Sequence, residues 1–444
     1  MNYIFDAISR TDPVALAVSG GSDSTALLLL FAAFSSSFPE LRGSAVFTVD
    51  HDLRPTSKHE AQQVAQLAIR LGFKHKTLVW KGQKPRSNTQ MQARIARYNL
   101  LSKACVEHSI KSLLTAHTQD DQAETFLLAL SRGSGIYGLA SMQKVKNMPN
   151  GITLIRPLLD LPKTALVDYL KERGESWIED PTNSDVRFAR SRIRAVSGAL
   201  ESIPLSNRRL ARTAQVISRV VEALDTCVEN CLHKIVMLRL GDSVMLDCAG
   251  LLQEPEEISL RTLALCLKRV GNRTYVPRMS SLERLLKALR TGFVNCTQVK
   301  RTLSDVLVIL TWGRHVGTRD FAQLWLIPEP GRDGFGRMTL LPGESGVWRG
   351  HLTVRTPQDM LGPCVIRTLK FRDACSLRAG AIVNEFALSE KYSFGTTSIP
   401  VSEMPVEVLT STPGVYVDDR LVSVPVLGLC LSHEWDGIIM GSNT

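Results

Sequence analysis

The junction Ser19-Gly20-Gly21-Ser22-Asp23-Ser24 restricts what this chain can fold into more than any other segment. It joins a strand-like apolar run, Val14-Ala15-Leu16-Ala17-Val18, to a helix-like apolar run at 26–31. A strand, a glycine-rich turn and a helix start, in that order, present backbone N–H groups and the positive end of a helix to phosphate. Gly20 and Gly21 permit positive φ and close backbone approach. The hydroxyls of Ser19, Ser22 and Ser24 add donors, and Ser22 or Asp23 is expected to cap the helix. No Gly-Lys-Ser/Thr follows, and the glycine spacing is not that of a dinucleotide-binding turn. The competing reading is a serine-rich turn that only caps a helix.

The first half of the chain repeats the strand–helix alternation. Strands are expected at 14–18, 45–49, 76–79, 112–116 and 152–155, and helices at 24–34, 59–71, 91–108 and 120–131. Apolar strands alternating with helices imply an α/β fold with a Rossmann-like parallel sheet covered on both faces. Ligands in such sheets bind beyond the carboxyl ends of the strands. Polar clusters stand at those ends: Ser19 to Ser24 after the first strand, Asp50-His51-Asp52 after the second, His117 to Asp121 after the fourth and Arg156-Pro157 after the fifth. A helix is expected from Pro162 to Arg173, then a turn-rich segment, Trp177-Ile178-Glu179-Asp180-Pro181-Thr182-Asn183, then a long helical stretch at about 187–233. Helices at 256–270 and 279–291 and a strand at 305–310 follow. The Pro- and Gly-rich segment 328–346 reads as a linker. The remainder looks β-rich, with strands at 415–417 and 421–427. The 444 residues suffice for about three domains. The divisions expected are a catalytic domain at 1–215, a helical or mixed domain at 216–327 and a small β-rich domain at 328–444.

Three constellations carry chemistry. His117, Asp121 and Glu124 are spaced i, i+4, i+7, which would place them on one face of a helix opened by Thr118-Gln119-Asp120. Two carboxylates there suit an ammonium group or Mg²⁺, and His117 suits phosphate binding or acid–base work. Acidic residues in a first helical turn are also favoured by the helix dipole alone. Arg94 and Arg97 are i, i+3 neighbours able to clamp a phosphate or to form a solvated basic face. Arg187-Phe188-Ala189-Arg190-Ser191-Arg192-Ile193-Arg194 packs four guanidiniums and an aromatic ring into eight residues, a pattern suited to nucleic acid or to charged surface.

Charge and cysteine usage narrow the class. Fifty-three Lys and Arg against 43 Asp and Glu leave a net charge of +10, which favours a polyanionic partner and leaves nucleic acid and membrane surface both open. Nine dispersed cysteines lack a framework; the nearest pair, Cys227 and Cys231, has neither redox nor zinc spacing. This suits a reducing compartment. The start of the chain shows no signal sequence, and the longest apolar run, 26–34, is too short to span a bilayer. A cytoplasmic protein is expected.

Ser19 to Ser24 resembles the S-G-G-x-D-S loop of the PP-loop ATP pyrophosphatases. Val49-Asp50-His51-Asp52-Leu53-Arg54, Ala116 through Thr125, and Arg132-Gly133-Ser134-Gly135 narrow the likeness to the tRNA(Ile)-lysidine synthase family. So do Ile155-Arg156-Pro157-Leu158-Leu159, Ile178-Glu179-Asp180-Pro181-Thr182-Asn183 and Arg190 to Arg194. The likeness runs in order through about the first two hundred residues and is weaker beyond. Asp52 stands where many members carry Gly, and Thr118-Gln119 where others are more apolar. The resemblance implies adenylation of the wobble cytidine C2 oxygen in an isoleucine tRNA with a CAU anticodon, then attack by the ε-amine of free L-lysine with loss of AMP. It implies ATP in the loop Ser19, Gly20, Gly21, Ser22, Asp23 and Ser24, with Asp23 near Mg²⁺ or the reacting phosphate. It places Arg97, His117, Asp121 and Glu124 around ATP and lysine, with Asp121 and Glu124 holding the lysine's charges, and Arg190, Arg192 and Arg194 on tRNA. No structural metal and no membrane partner are expected; a homodimer is compatible with the sequence. Two other enzyme readings of the loop fit less well: tRNA thiolation wants cysteines beside it, and amide-forming synthetases want a glutaminase or another partner domain. A non-catalytic RNA-binding module would explain the basic charge but not Asp23, His117, Asp121 and Glu124 together.

Overall fold

A computed structural model describes residues 2–51, 57–81, 89–148, 150–179, 190–194, 205–313, 321–329, 335–349, 352–358, 362–379, 401–427, 429–430 and 439–442. Contacts divide the chain into two compact units, Met1–Ala223 and Leu224–Thr444.

The first unit is built on a six-stranded sheet in the order β3-β2-β1-β4-β6-β5. Its strands are β1 (Val14–Ala17), β2 (Ala45–Asp50), β3 (Lys74–Val79), β4 (Ser112–Thr115), β5 (Val145–Asn147) and β6 (Thr153–Ile155). All neighbours run parallel except the short β5, which pairs antiparallel with β6. The period-2 alternation of β1 explains how both faces are covered. Val14, Leu16 and Val18 enter one core with α1 (Ser22–Ser35), α2 (Ser57–Arg70) and α5 (Lys163–Glu172). Ala15 and Ala17 enter the opposite core with Leu101, Ala104 and Cys105 of α3 (Thr89–Glu107). Because β1 is flanked by β2 on one side and β4 on the other, the strand order reverses between β1 and β4, where the connections leave for opposite faces. This switch point is where open α/β sheets form their ligand crevice. Helix α1 is apolar around most of its circumference, with Ala26 through Phe31 all buried and Phe31 edge-on to Phe5 at 5.7 Å.

Several sequence expectations change in detail. Helix α1 is capped by the Gly21 backbone with no side-chain bond, so neither Ser22 nor Asp23 is the cap. Helix α4 (Gln119–Ser131) begins after His117, which therefore stands in the loop and not on the helical face with Asp121 and Glu124. Of the long stretch at 187–233, residues 190–194 and Asn207–Ile235 are helical, and Arg187, Phe188 and Ala189 lie outside the described residues.

The second unit carries an antiparallel sheet, β7-β8-β11-β10-β9, made of Val236–Leu240, Ser243–Asp247, Phe321–Pro328, Val306–Gly313 and Val299–Leu303. Leu246, Leu310 and Leu324 on one face pack against the helices Glu256–Val270 and Met279–Val294. Met245, Ile309 and Trp325 on the other face pack against Leu377, Val408 and Tyr416. A second sheet, of Met338–Leu340, Cys364–Thr368, Pro413–Val417, Arg420–Val424 and Leu429–Cys430 in that order, and a three-stranded one, of Ser345–Trp348, Leu352–Arg355 and Ile439–Ser442, complete it. The segment expected to be a linker instead supplies β12 (Met338–Leu340) and the start of β13 (Ser345–Trp348). Among the described residues no helix is long and apolar enough to cross a membrane.

Leu16 is fully buried at the centre of the first sheet. Leu16→Ala is expected to cost about 2–5 kcal/mol, whereas truncating Leu130, 54% exposed, should stay within about 0.5 kcal/mol. Urea unfolding at constant slope measures both, and equal midpoints for the two variants would refute this account of the core.

Candidate active site

The loop after β1 folds around its own serines. Gly20 takes φ +90°, in the left-handed region, and a Cβ there would run into the Ile178 side chain and lie 3.1 Å from Val64. The Gly20 carbonyl accepts from the Ile178 N–H at 2.9 Å and from the Thr25 hydroxyl at 3.1 Å. Ser24 is buried; it donates to the Gly21 carbonyl at 3.1 Å and accepts from the Ser19 N–H at 3.2 Å. Its hydroxyl therefore shapes the loop. With a backbone cap at Gly21, the N–H groups of the first turn of α1 have no intrahelical acceptor and face the cleft as an anion site.

Asp23 stands at the lip of that turn. Its carboxylate receives the Lys163 ammonium at 3.2 Å and the Ser22 hydroxyl at 3.2 Å. Burial raises its pKa above the ordinary 3.8; Lys163 opposes the rise and neighbouring Asp121 adds to it. Lys163 is fixed by Asp120, which accepts the Lys163 backbone N–H at 2.7 Å through one carboxylate oxygen and the Asn207 side chain at 2.9 Å through the other. Asp120 thus ties the starts of three helices, while its neighbour Asp121 faces the cleft.

Asp121 also closes a capping box with Thr118: one carboxylate oxygen accepts the Thr118 N–H at 2.9 Å, and Thr118 accepts in return from the Asp121 N–H. The dipole reading and the cleft reading of this carboxylate both hold. His117 is buried, with Nδ1 3.0 Å from the Thr115 hydroxyl. Burial, and then the guanidiniums of Arg156, Arg97, Arg94 and Arg190, hold it well below the ordinary 6.5, so it is neutral at physiological pH. Arg156 is itself buried and donates to the Gln143 carbonyl at 2.6 Å. Glu124 is buried and bound by both ends of the Arg194 guanidinium, the second contact at 3.2 Å. Burial raises the Glu124 pKa against the pull of Arg194.

These elements enclose a cleft of about 1090 Å³. Ser19, Gly21 to Ser24, Arg97, His117, Asp121, Arg190 and Arg194 all line it. Gly20 and Glu124 stand behind the wall, against Ile178 and Arg194 respectively. Arg94 lines it too and stacks on Tyr98 at 5.1 Å. Arg190 and Arg194, one helical turn apart, face the cleft; Arg192 is exposed and does not line it. Asp52, Leu53 and Arg54, and the turn Asp180-Pro181-Thr182-Asn183, lie outside the described residues. Lys163 and Lys171 were not anticipated from sequence. The available signal for Lys163 was position alone, as the first helical residue after Pro162 at the ligand edge of the sheet. Six basic side chains against three carboxylates make the lining suited to a polyanion with a small cationic group beside it. Among the described residues no cysteine lines the cleft, and Cys105, buried in α3, has its pKa pushed up to about 12.

The neutral His117 has a stability signature. Its folded pKa is depressed, so the unfolded chain takes up the proton first as pH falls through 6.5, and the folded state is penalised below that value. The wild type is expected to lose stability relative to His117→Gln between pH 7 and 5 and to track it above pH 7, measured by urea unfolding. Parallel curves across the whole range would show that the imidazole protonates freely.

A family model described as a PP-loop domain matches residues 2–200. A tRNA(Ile)-lysidine synthase of Methylobacterium nodulans is 41% identical over 327 residues, covering 72% of this chain and 91% of the relative. Proteins of the same description from a Methylobacterium species and from Ruegeria pomeroyi are 42% and 36% identical, covering 72% and 80% of this chain and 90% and 80% of the relatives. Sequence likeness of this extent, on a phosphate loop set at the switch point of a parallel sheet, makes the chain a member of the tRNA(Ile)-lysidine synthase family.

Proposed function

We propose that this chain ligates L-lysine to C2 of the wobble cytidine of a tRNA(Ile) with a CAU anticodon, consuming ATP and forming lysidine, AMP and pyrophosphate. The observation that carries the reading is the cleft itself: an anion-binding helix start faces Asp23, Asp121 and a neutral His117 within a basic wall. In the first step the cytidine C2 oxygen attacks the α-phosphorus, the bond to the β-phosphate oxygen breaks, and pyrophosphate leaves. In the second the lysine ε-nitrogen attacks C2, the C2–O bond breaks, AMP leaves, and the amine surrenders protons. Adenylation is needed because the pyrimidine carbonyl is a poor electrophile with no leaving group.

The N–H groups at the start of α1 hold the β- and γ-phosphates, and Arg97 and Lys163 neutralise the charge that develops on the phosphates. His117, uncharged, offers a hydrogen bond without adding a further cation. Mg²⁺ binds through one or two carboxylates plus phosphate oxygens, which fits Asp23 with Asp121 facing the same cleft; when bound it supplies charge neutralisation on the phosphates. Asp121 and Glu124 hold the lysine, whose ammonium competes with Arg194 for Glu124. The raised pKa of Glu124 makes it a stronger base for the departing amine proton than an ordinary carboxylate. Arg190, Arg192 and Arg194 meet the anticodon-loop backbone, and we assign 1–215 to catalysis and 216–327 and 328–444 to holding tRNA. The reaction belongs in the cytoplasm, where tRNA, ATP and free lysine coexist. Thiolation is disfavoured because the lining has no nucleophilic sulfur among the described residues.

With a transcribed tRNA(Ile) bearing CAU, ATP and Mg²⁺, labelled lysine is expected to enter the RNA with matching AMP and pyrophosphate. Release of ADP, or nucleotide binding with no lysine uptake, would end this reading. Asp23→Asn should lower the rate by about 10²–10⁴-fold with tRNA affinity within about twofold. Lys163→Met is expected to weaken ATP binding by roughly 10–100-fold, the loss of one charge-assisted bond. Isothermal titration checks it, and an unchanged affinity would return Lys163 to a role in holding Asp23 only.

A further inference from the structure

Helix α5 starts without a cap of its own. Its N-cap is Pro162, whose side chain makes no capping bond, so the first N–H groups of the helix need acceptors from elsewhere. Asp120, 43 positions earlier, supplies one: a carboxylate oxygen accepts the Lys163 N–H at 2.7 Å. The other oxygen accepts the Asn207 side-chain amide at 2.9 Å. The backbone reinforces the first of these links, with the Gln119 N–H donating to the Leu161 carbonyl at 3.0 Å. Asn207 is held in turn by its own helix, which packs Leu210 and Ala214 against Ala123 and Phe126 of α4. The lysine whose backbone Asp120 binds is the one whose ammonium reaches Asp23, at 3.2 Å.

The helix dipole alone favours an aspartate in a first turn, but α4 already has a complete cap in Thr118 and Asp121. Asp120 takes no part in that cap, and both its oxygens are turned to other elements. The residue type follows from the donors it meets. Two N–H groups face it, and a carboxylate accepts both, whereas an amide accepts one and turns its own N–H₂ toward the other. The consequence lies at Lys163, whose side chain is 49% exposed. An ion pair so exposed is weak when a long flexible side chain must be ordered to make it. Fixing the Lys163 backbone in advance removes part of that ordering cost.

We infer that Asp120 and Asn207 are positioning residues for ATP: the chain Asn207–Asp120–Lys163 sets the Lys163 ammonium at the phosphate loop beside Asp23. Neither Asp120 nor Asn207 lines the cleft, so both act through Lys163. The inference rests on the proposed role of Lys163 at the phosphates. It deepens that role by assigning part of the nucleotide affinity to a hydrogen-bonded pair behind the lining.

The test titrates ATP with Mg²⁺ into the full chain by calorimetry. Asp120→Asn leaves one donor unmet and is expected to weaken ATP binding at least about fivefold. In a Lys163→Met background the same change should cost less than about twofold, because the ammonium it acts through is gone. The exchange Asp120→Asn/Asn207→Asp separates positioning from stability. The amide placed at 120 accepts the Lys163 N–H through its oxygen and donates through its nitrogen to the carboxylate placed at 207, so both bonds and the net charge return. ATP affinity within about twofold of wild type is expected for the exchange, while Asn207→Asp alone should bind ATP as weakly as Asp120→Asn, since two carboxylates then face each other. A merely structural brace predicts equal losses in the two backgrounds, following the urea midpoint. Equal losses, or an exchange variant that binds ATP no better than Asp120→Asn, overturns the inference. A wild type that binds ATP but takes up no lysine would strike the catalytic reading alone, because affinity is read without turnover.

Discussion

The packing of Ile178 on a bare Gly20 is the constraint on which the cleft depends. Any side chain at position 20 would collide with Ile178, and its φ of +90° is one that only glycine takes without strain. The contact does two things at once. It turns the chain sharply from β1 into α1, which aims the free N–H groups of the helix at the crevice. It also ties the loop to the segment 175–179 through the Ile178 N–H, bringing Trp177 and Glu179 into the cleft lining. A phosphate loop closed only by its own serines would lack that part of the wall.

Charge in the cleft is arranged in pairs that share a purpose. Two carboxylates of the site are held by a cation: Asp23, which faces the cleft, by Lys163, and Glu124, behind the wall, by Arg194. Asp120 lies next in sequence to Asp121 but is fully committed to backbone and amide donors, which makes it a brace between helix starts. The adjacent carboxylates divide structure from chemistry because successive residues on a helix point about 100° apart. His117 is kept neutral first by burial and then by the guanidiniums that make the cleft attractive to phosphate, so the basicity of the wall reinforces the state of the imidazole.

The sheet was legible because its strands are short, apolar and separated by helical periodicity, and because ligand residues gather at strand ends. Strands β1, β2 and β4 and helix Glu256–Val270 lie where their patterns put them. What escaped has physical reasons. Strand β5, Val145–Asn147, is exposed at all three residues and pairs by backbone alone, so no hydrophobic period marks it. Strands β12 and β13 are three and four residues long amid glycine and proline, too short to show alternation. The cap of α1 escaped because Ser22 turns to its neighbour Asp23 and Ser24 to the Gly21 carbonyl, local bonds that compete with capping. Lys163 escaped because a lone lysine after proline carries no local pattern; its meaning comes from an aspartate 140 positions away.

The Glu124–Arg194 pair reconciles the two roles assigned to this region, lysine binding and RNA contact. An ion pair on a buried carboxylate is costly to break by removing one partner, because the remaining charge is left uncompensated. A lysine ammonium arriving at Glu124 would supply a replacement charge, though as a point charge and not a planar fork. The guanidinium it displaces would then be left, 42% exposed, in a basic cleft, where the most favourable destination is a phosphate. Arg194 belongs to the helical turn 190–194 with Arg190, which lines the same cleft one turn away. Were Glu124 to hold the lysine as proposed, the exchange would free Arg194 for phosphate, and each ligand would then lower the cost of binding the other.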